Sequence, residues 1–415
     1  MDTTLVRLLD AEAIPFAELH RRYGSVLALV RALIGVVPNC DPYLEIWPTA
    51  FRTYNVMVPN FLNLPFSLWG VGAPKDVVGL AMYASSRTAE CMYCAAHTCS
   101  FALRRGARPD KVAGILGDAS LSPGEQAAVA VARSLSRLPS SLSDAERREL
   151  ARHFSPAEAE WIVLGVVMMG FLNKFMDATG VKLEASTVEE VRGLIGPSGW
   201  TPGKHLHGQA IGDGGTLPPA DGLGTKLGVL PYVPSALSLD RQWTSGVPDR
   251  WPAVGAYLRR STGHDFPVLR RVQRRRALRA IAVMLRDNLD PEASVTGIDA
   301  KLLAGFVYAT LAADATLATD LRALAHHRRL APEVVDRVVR FAMTPSADDD
   351  LAPLDARTQA LVRLARAASP SPSEIPDSAI DACTATGLGA AAIVELICFL
   401  SVMQMLHRLS IFYAA

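Results

Sequence analysis

The sequence predicts an all-α protein, and three observations carry that expectation. Apolar residues recur every three or four positions through most of the chain, and no stretch alternates with the period of two that a half-buried strand needs. Helix starts are written plainly: Ser122-Pro123-Gly124-Glu125 and Ser155-Pro156-Ala157-Glu158 each place a serine ahead of a proline at the first helical position. Half of the 415 residues are hydrophobic, enough to fill the cores of two domains of ordinary size.

Taken in order, Leu5, Leu8, Leu9, Ile14, Phe16 and Leu19 recur at helical intervals, and residues 23–36 form a second periodic segment closed by Pro38. Residues 40–72 mix prolines with aromatics such as Tyr43, Trp47, Phe51 and Tyr54, which predicts short helices and loops packed as core. Helices follow over 76–86, 89–106 and 109–116, then from Ser122, over 143–153, and from Ser155 to Gly180. The apolar run 161–172 is shorter than the ~20 residues of a membrane span and reads as a buried helix. Residues 196–246 are rich in Gly and Pro, including Gly212-Asp213-Gly214-Gly215, and read as a linker between a domain over 1–195 and another over 247–415. His205 and His207 lie in that linker and are expected to be exposed.

Lysine and arginine number 42 against 41 acids, so no global field points to nucleic acid or an anionic membrane surface. The arginines at 270–279 spread around a helix as a solvated face. The first residues have neither a secretory nor a transit pattern, and six cysteines in a chain of this length suit a reducing compartment. The expected location is cytoplasmic.

The chemistry is concentrated in Glu90-Cys91-Met92-Tyr93-Cys94-Ala95-Ala96-His97. On a helix, successive residues turn by about 100°, so Cys91, Cys94 and His97 share one face, and Glu90 falls on the same stripe. His97 is placed to act as base for a thiol. Thr88 would cap the helix, whose start would favour negative charge on sulfur. A zinc site using Cys99 or Cys40 as fourth ligand is disfavoured, because Cys99 points about 80° away from Cys91; no metal or cofactor is expected. Cys40, Cys383 and Cys398 read as small buried hydrophobes, and His326, His327 and His407 as packing or surface residues.

The first half of the chain recurs in the second. Residues 107–112, 121–127 and 171–174 find counterparts, in the same order, at 330–335, 354–360 and 405–408. The second copy carries extra residues around Ser346-Ala347-Asp348-Asp349-Asp350. In that register Cys91, Cys94 and His97 meet Asp314, Leu317 and Asp320, so the second copy has lost the thiols.

The motif at 90–97, the following Arg104-Arg105-Gly106, the start at Leu121 and the apolar helix closing in Phe171-Leu172-Asn173-Lys174 resemble the alkylhydroperoxidase D and carboxymuconolactone decarboxylase superfamily. The resemblance covers residues 76–181 well and 301–413 weakly. It implies a small all-α unit that oligomerises, present here as two fused copies packed as an intrachain pseudo-dimer. It also implies reduction of a hydroperoxide or related small-molecule acceptor, with Cys94 attacking and Cys91 resolving. A dithiol reductant such as a lipoyl-bearing protein would restore the pair. The peroxidase branch carries a relay glutamate where this chain has Gly79; Glu90, or else Asp76, is the expected replacement. The decarboxylase branch implies a lyase instead, with His97 as acid/base on a small cyclic substrate and the thiols incidental.

Overall fold

The computed structural model describes residues 3–117, 120–209, 215–344 and 348–414. The described residues are helical with no strand, as the periodicity predicts. Ser346 and Ala347 of the extra residues, and Gly212, Asp213 and Gly214, lie outside the described set.

The N-terminal half runs through α1 (Thr4–Glu12), α2 (Phe16–Ile34), α3 (Cys40–Glu45), α4 (Pro48–Phe61), α5 (Lys75–Thr88), α6 (Met92–Arg104), α7 (Pro109–Ala113), α8 (Pro123–Ser136), α9 (Asp144–His153) and α10 (Pro156–Thr179). After α11 (Ala185–Ile195) come two helices inside the expected linker, α12 (Leu223–Val229) and α13 (Val233–Trp243), then α14 (Ala253–Thr262) and α15 (Arg275–Asn288). The chain closes with α16 (Ile298–Leu311), α17 (Ala315–His327), α18 (Pro332–Met343), α19 (Ala356–Ala368), α20 (Asp377–Ala385) and α21 (Ala390–Tyr413).

Local chemistry explains the boundaries. Ser122, Ser143 and Ser155 each build a capping box with the glutamate three residues on, so two of the orphan amides at each start are satisfied reciprocally. The 196–246 segment is not a free tether. It lays α12 and α13 against α2, and it carries Trp200 and His205 into the interior. Its Gly and Pro content breaks long periodicity without preventing short helices.

The centre of the molecule is the crossing of α10 and α21, each 24 residues long. Both are long and apolar enough to cross a membrane, but nearly all residues of their most apolar stretches are buried within the fold, and they pack on one another. A Cβ on Gly170 would stand 3.0 Å from the Gln404 carbonyl oxygen, so the absence of a side chain there lets the two backbones meet. Each helix sends a buried cation across. Lys174 donates to the carbonyls of Ala368, Ser369 and Pro370 at the end of α19, and Arg408 donates to Ser85 Oγ and the Val166 carbonyl. Removing one partner of such a buried set is costly, because the remaining groups have no water to turn to.

Details of the first half recur in the second at a constant separation of 223 residues. Glu90 and Ala313 are both in the left-handed region, as are Gly106 and Arg329. Cys91 and Asp314 each cap the next helix by accepting the amide three residues on. The α5/α6 and α16/α17 hairpins match in length, 14 and 13 residues each.

Candidate functional site

The dithiol sits at the start of α6. Cys91 is not inside the helix but caps it, with extended backbone, and its sulfur accepts the Cys94 N–H at 3.4 Å. Thr88, the expected cap, is instead the last residue of α5. Both thiols are free and buried. This is the adjustable first-turn geometry that a reversible disulfide needs, because regular helical spacing holds i and i+3 Cβ atoms about 5 to 6 Å apart and a disulfide needs about 3.8 Å.

Glu90 is off the helical stripe on which spacing placed it. The amide of Cys91 bonds back to the Ser86 carbonyl and Glu90 takes φ +54°, the left-handed residue that ends α5. A residue in that turn does not continue the helical rotation, so its side chain is exposed at the rim of a groove. Gly79 offers no replacement. A Cβ there would lie 2.7 Å from Ala102 Cα, because α5 and α6 cross at that point with backbone nearly touching. Asp76 remains in the first turn of α5, and among the described residues no hydrogen bond joins it to Cys91 or Cys94.

The carboxylate that serves His97 is Glu184, which the sequence reading missed. α10 ends at Gly180 in the left-handed region (φ +63°), the chain reverses, and Glu184 stands at the cap position of α11 without capping it. Its Oε2 instead accepts from His97 Nε2 at 2.7 Å, and its Oε1 accepts from the Tyr93 hydroxyl at 2.9 Å and from the Asn39 amide. Burial pushes Glu184 up, but the His97 ring beside it and the backbone amide of Asn39 outweigh that and hold it below the ordinary carboxylate range. An ionised carboxylate only accepts, so His97 Nε2 carries its hydrogen and the neutral ring keeps its basic lone pair on Nδ1. Asp41 lies nearby, fully buried, and burial reinforced by the Glu184 charge pushes its carboxyl well above the usual range.

Cys94, His97 and Tyr93 line a largely apolar cavity of about 100 Å³ together with Met82, Met169 and Phe101. A second apolar cavity of about 110 Å³ shares the walls Ile34, Tyr54, Val58, Leu62 and Phe101 with it. Burial, then the adjacent Cys91 sulfur, push the Cys94 thiol well above the usual cysteine range. The expectation that the helix start would favour a thiolate is therefore corrected: desolvation of the charged form outweighs the helix dipole, and Cys94 needs a base to react.

Another group surrounds Cys91. One ligand atom each from Cys91, Asp177 and His205 lie within 4.8 Å of one another, all in buried residues. His205 was expected to be exposed; it is 1% exposed, because its Nδ1 bonds the Val181 carbonyl and its own carbonyl receives the Leu183 amide. Lys204 pairs with Asp177 at 3.0 Å. His407 is likewise buried, hydrogen-bonded to Asp314 at 2.8 Å, the residue standing where Cys91 stands in the first half.

No protein-family model matches the chain, and no curated protein matches it. Two solved structures are similar over part of it: the apo crystal structure of the debrominase Bmp8 (23% identity, TM-score 0.37), and an alanine variant of that debrominase in complex with 2,3,4-tribromopyrrole (22% identity, TM-score 0.38). Each match covers 42% of this chain, against 92% and 91% of the respective debrominase chains.

Proposed function

We propose that this chain is a thiol-dependent oxidoreductase that reduces a hydroperoxide or a related small acceptor through a Cys91/Cys94 dithiol–disulfide cycle. The observation that carries the reading is the juxtaposition of Cys94 with His97 in one apolar cavity, the ring being held by the buried carboxylate of Glu184. His97 takes the Cys94 proton, and the thiolate attacks the distal peroxide oxygen. The S–O bond forms as the O–O bond breaks, and the departing alkoxide receives the proton from His97. Cys91 then displaces hydroxide from the Cys94 sulfenic acid to give the disulfide and water. A dithiol reductant such as a lipoyl-bearing protein returns the pair to the thiol state.

The two halves are further proposed to be degenerate copies of one alkylhydroperoxidase D-like unit, packed as an intrachain pseudo-dimer. The recurrent turns at 223-residue spacing and the exchange of Lys174 and Arg408 across α10 and α21 support that arrangement.

Intact mass and peptide mapping after peroxide treatment test the redox reading: a loss of two hydrogens should map to the peptide holding Cys91 and Cys94. Both thiols free, with turnover intact, would refute it. A second reading, a lyase with His97 as acid/base on a small cyclic substrate, draws on the same His97–Glu184 pair, which needs no thiol. A doubly serine-substituted Cys91/Cys94 variant that keeps activity would favour it.

A further inference from the structure

We infer that Cys91 has a base of its own, His205 Nε2, on a ring held in place by the Val181 carbonyl, separate from the His97–Glu184 pair that serves Cys94. The inference rests on the redox reading above and deepens it.

Hydrogen-bond geometry assigns the proton on this ring. His205 Nδ1 lies 2.7 Å from the Val181 carbonyl oxygen, which can only accept, so Nδ1 carries the hydrogen. In the neutral ring the lone pair is then on Nε2. That atom is buried with no hydrogen-bond partner among the described residues, and burial drives the ring's pKa down to about 4, so it is neutral near pH 7. Asp177 Oδ1 lies 3.9 Å from it, and the Cys91 sulfur belongs to the same 4.8 Å cluster as this ring. Asp177 Oδ1 is occupied by Lys204, and the other carboxylate oxygen by the Ser373 amide. Within that cluster the Cys91 S–H is the hydrogen that can turn toward the Nε2 lone pair.

Tyr93 keeps the two bases apart. Its ring lies 4.5 Å from that of His97 and 5.7 Å from that of His205, one imidazole serving each thiol. The two sides also open differently. His97 faces the apolar cavity, whereas His205, Asp177, Lys204 and Glu90 border a groove of about 660 Å³. In the resolving step the Cys91 proton passes to His205 Nε2, the S–S bond forms and the S–O bond of the sulfenic acid breaks. The departing hydroxide takes a proton from solvent by way of His97, and His205 releases its own to solvent through the groove. Reduction of the disulfide runs the proton back to Cys91.

The test separates the two half-reactions. His205→Gln is treated with one equivalent of peroxide while a sulfenic-acid trap and disulfide mass are followed in time. Sulfenic acid on Cys94 should form within about threefold of the native rate, while disulfide closure slows by about 10- to 10²-fold for His205→Gln, below the full worth of a general base because a ring held at about 4 is a weak acceptor. A measurement on the native protein guards against variants that fail to fold: the nitrogen NMR shift of His205 Nε2 should change when Cys91 loses its hydrogen in the disulfide. Closure at the native rate in His205→Gln, or an Nε2 shift indifferent to oxidation, overturns the assignment. So does a stoichiometric metal ion released by chelator and lost in His205→Gln, since the lone pair would then hold a cation. Failure of Cys94 to oxidise at all in the native protein would instead refute the redox function itself.

Discussion

Glu184→Gln is the sharpest perturbation of this site, because it changes one atom and its effect can be worked out from three hydrogen bonds. The carboxylate accepts from Asn39 N–H, Tyr93 O–H and His97 Nε2–H. An amide has one accepting oxygen, so one end must turn a donor toward a donor. With the NH₂ toward Asn39 and Tyr93, two buried donors lose their acceptor at about 1–3 kcal/mol each. With the NH₂ toward His97, one conflict remains, and the ring relieves it by moving its hydrogen to Nδ1. The second arrangement is the cheaper. It leaves the fold about 1 kcal/mol weaker, the difference between bonds to a charged and to a neutral acceptor, and removes the lone pair that accepts the Cys94 proton. Cys94 is held protonated by burial, so its oxidation should slow by about 10²- to 10⁴-fold, the usual worth of a general base. Rapid-quench alkylation of peroxide-treated protein, read by intact mass over roughly pH 6 to 9, measures this. A native rate across that range in a folded variant would refute the dyad. The pH sign gives a second check. Glu184 is lowered by folding, so its stabilisation is full above the ordinary carboxylate range and vanishes as pH falls through its folded value. The native and variant melting temperatures should therefore converge in acid.

Glu90→Gln should leave thiol oxidation near native, because the side chain is exposed in the turn before α6; a slowing of tenfold or more, on the scale of general acid/base effects, would restore it to the relay. A chain cut after Gly196 should aggregate or self-associate, since it bares the face of α10 that α21 covers, and a soluble, active monomeric fragment by light scattering would count against the pseudo-dimer. His205 is held at about 4 against an ordinary 6.5, so its folded state is favoured above pH 6.5 and loses that advantage as pH falls toward 4. His205→Gln should melt with a shallower acid dependence across that window, and identical slopes would contradict the buried neutral ring.

The helices were legible in the sequence because their signals are local. Serine-proline starts, capping glutamates and apolar spacing each act within a turn or two, and Ser122, Ser143 and Ser155 cap as written. The dithiol and His97 were legible for the same reason. Glu184 was not: it meets His97 across 87 residues, through a chain reversal that no periodicity records. The signal that could have found it is Glu184 itself, a carboxylate four residues past the helix-ending Gly180, directly after the buried Val181 and Leu183. Residues 196–246 misled because glycine and proline content reports broken periodicity, and a broken segment can still be packed. Glu90 misled because helical spacing was extended one turn too far back, across the left-handed residue that divides α5 from α6.

Cys91 holds the first turn of α6 by accepting the Cys94 amide, and that same sulfur must swing toward Cys94 Sγ to close a disulfide. The lone pair that tethers the backbone in the reduced protein is redirected by the bond that forms. In the proposed cycle, oxidation would exchange a soft, reversible anchor for a covalent one, and the redox state would become a property of the main chain as well as of the sulfurs. Hydrogen exchange at the Cys94 amide should be slow in the dithiol form and faster in the disulfide. Tyr93 rides on that turn between two imidazoles, so each electron pair delivered to the site would be felt as a small displacement of the partition between them.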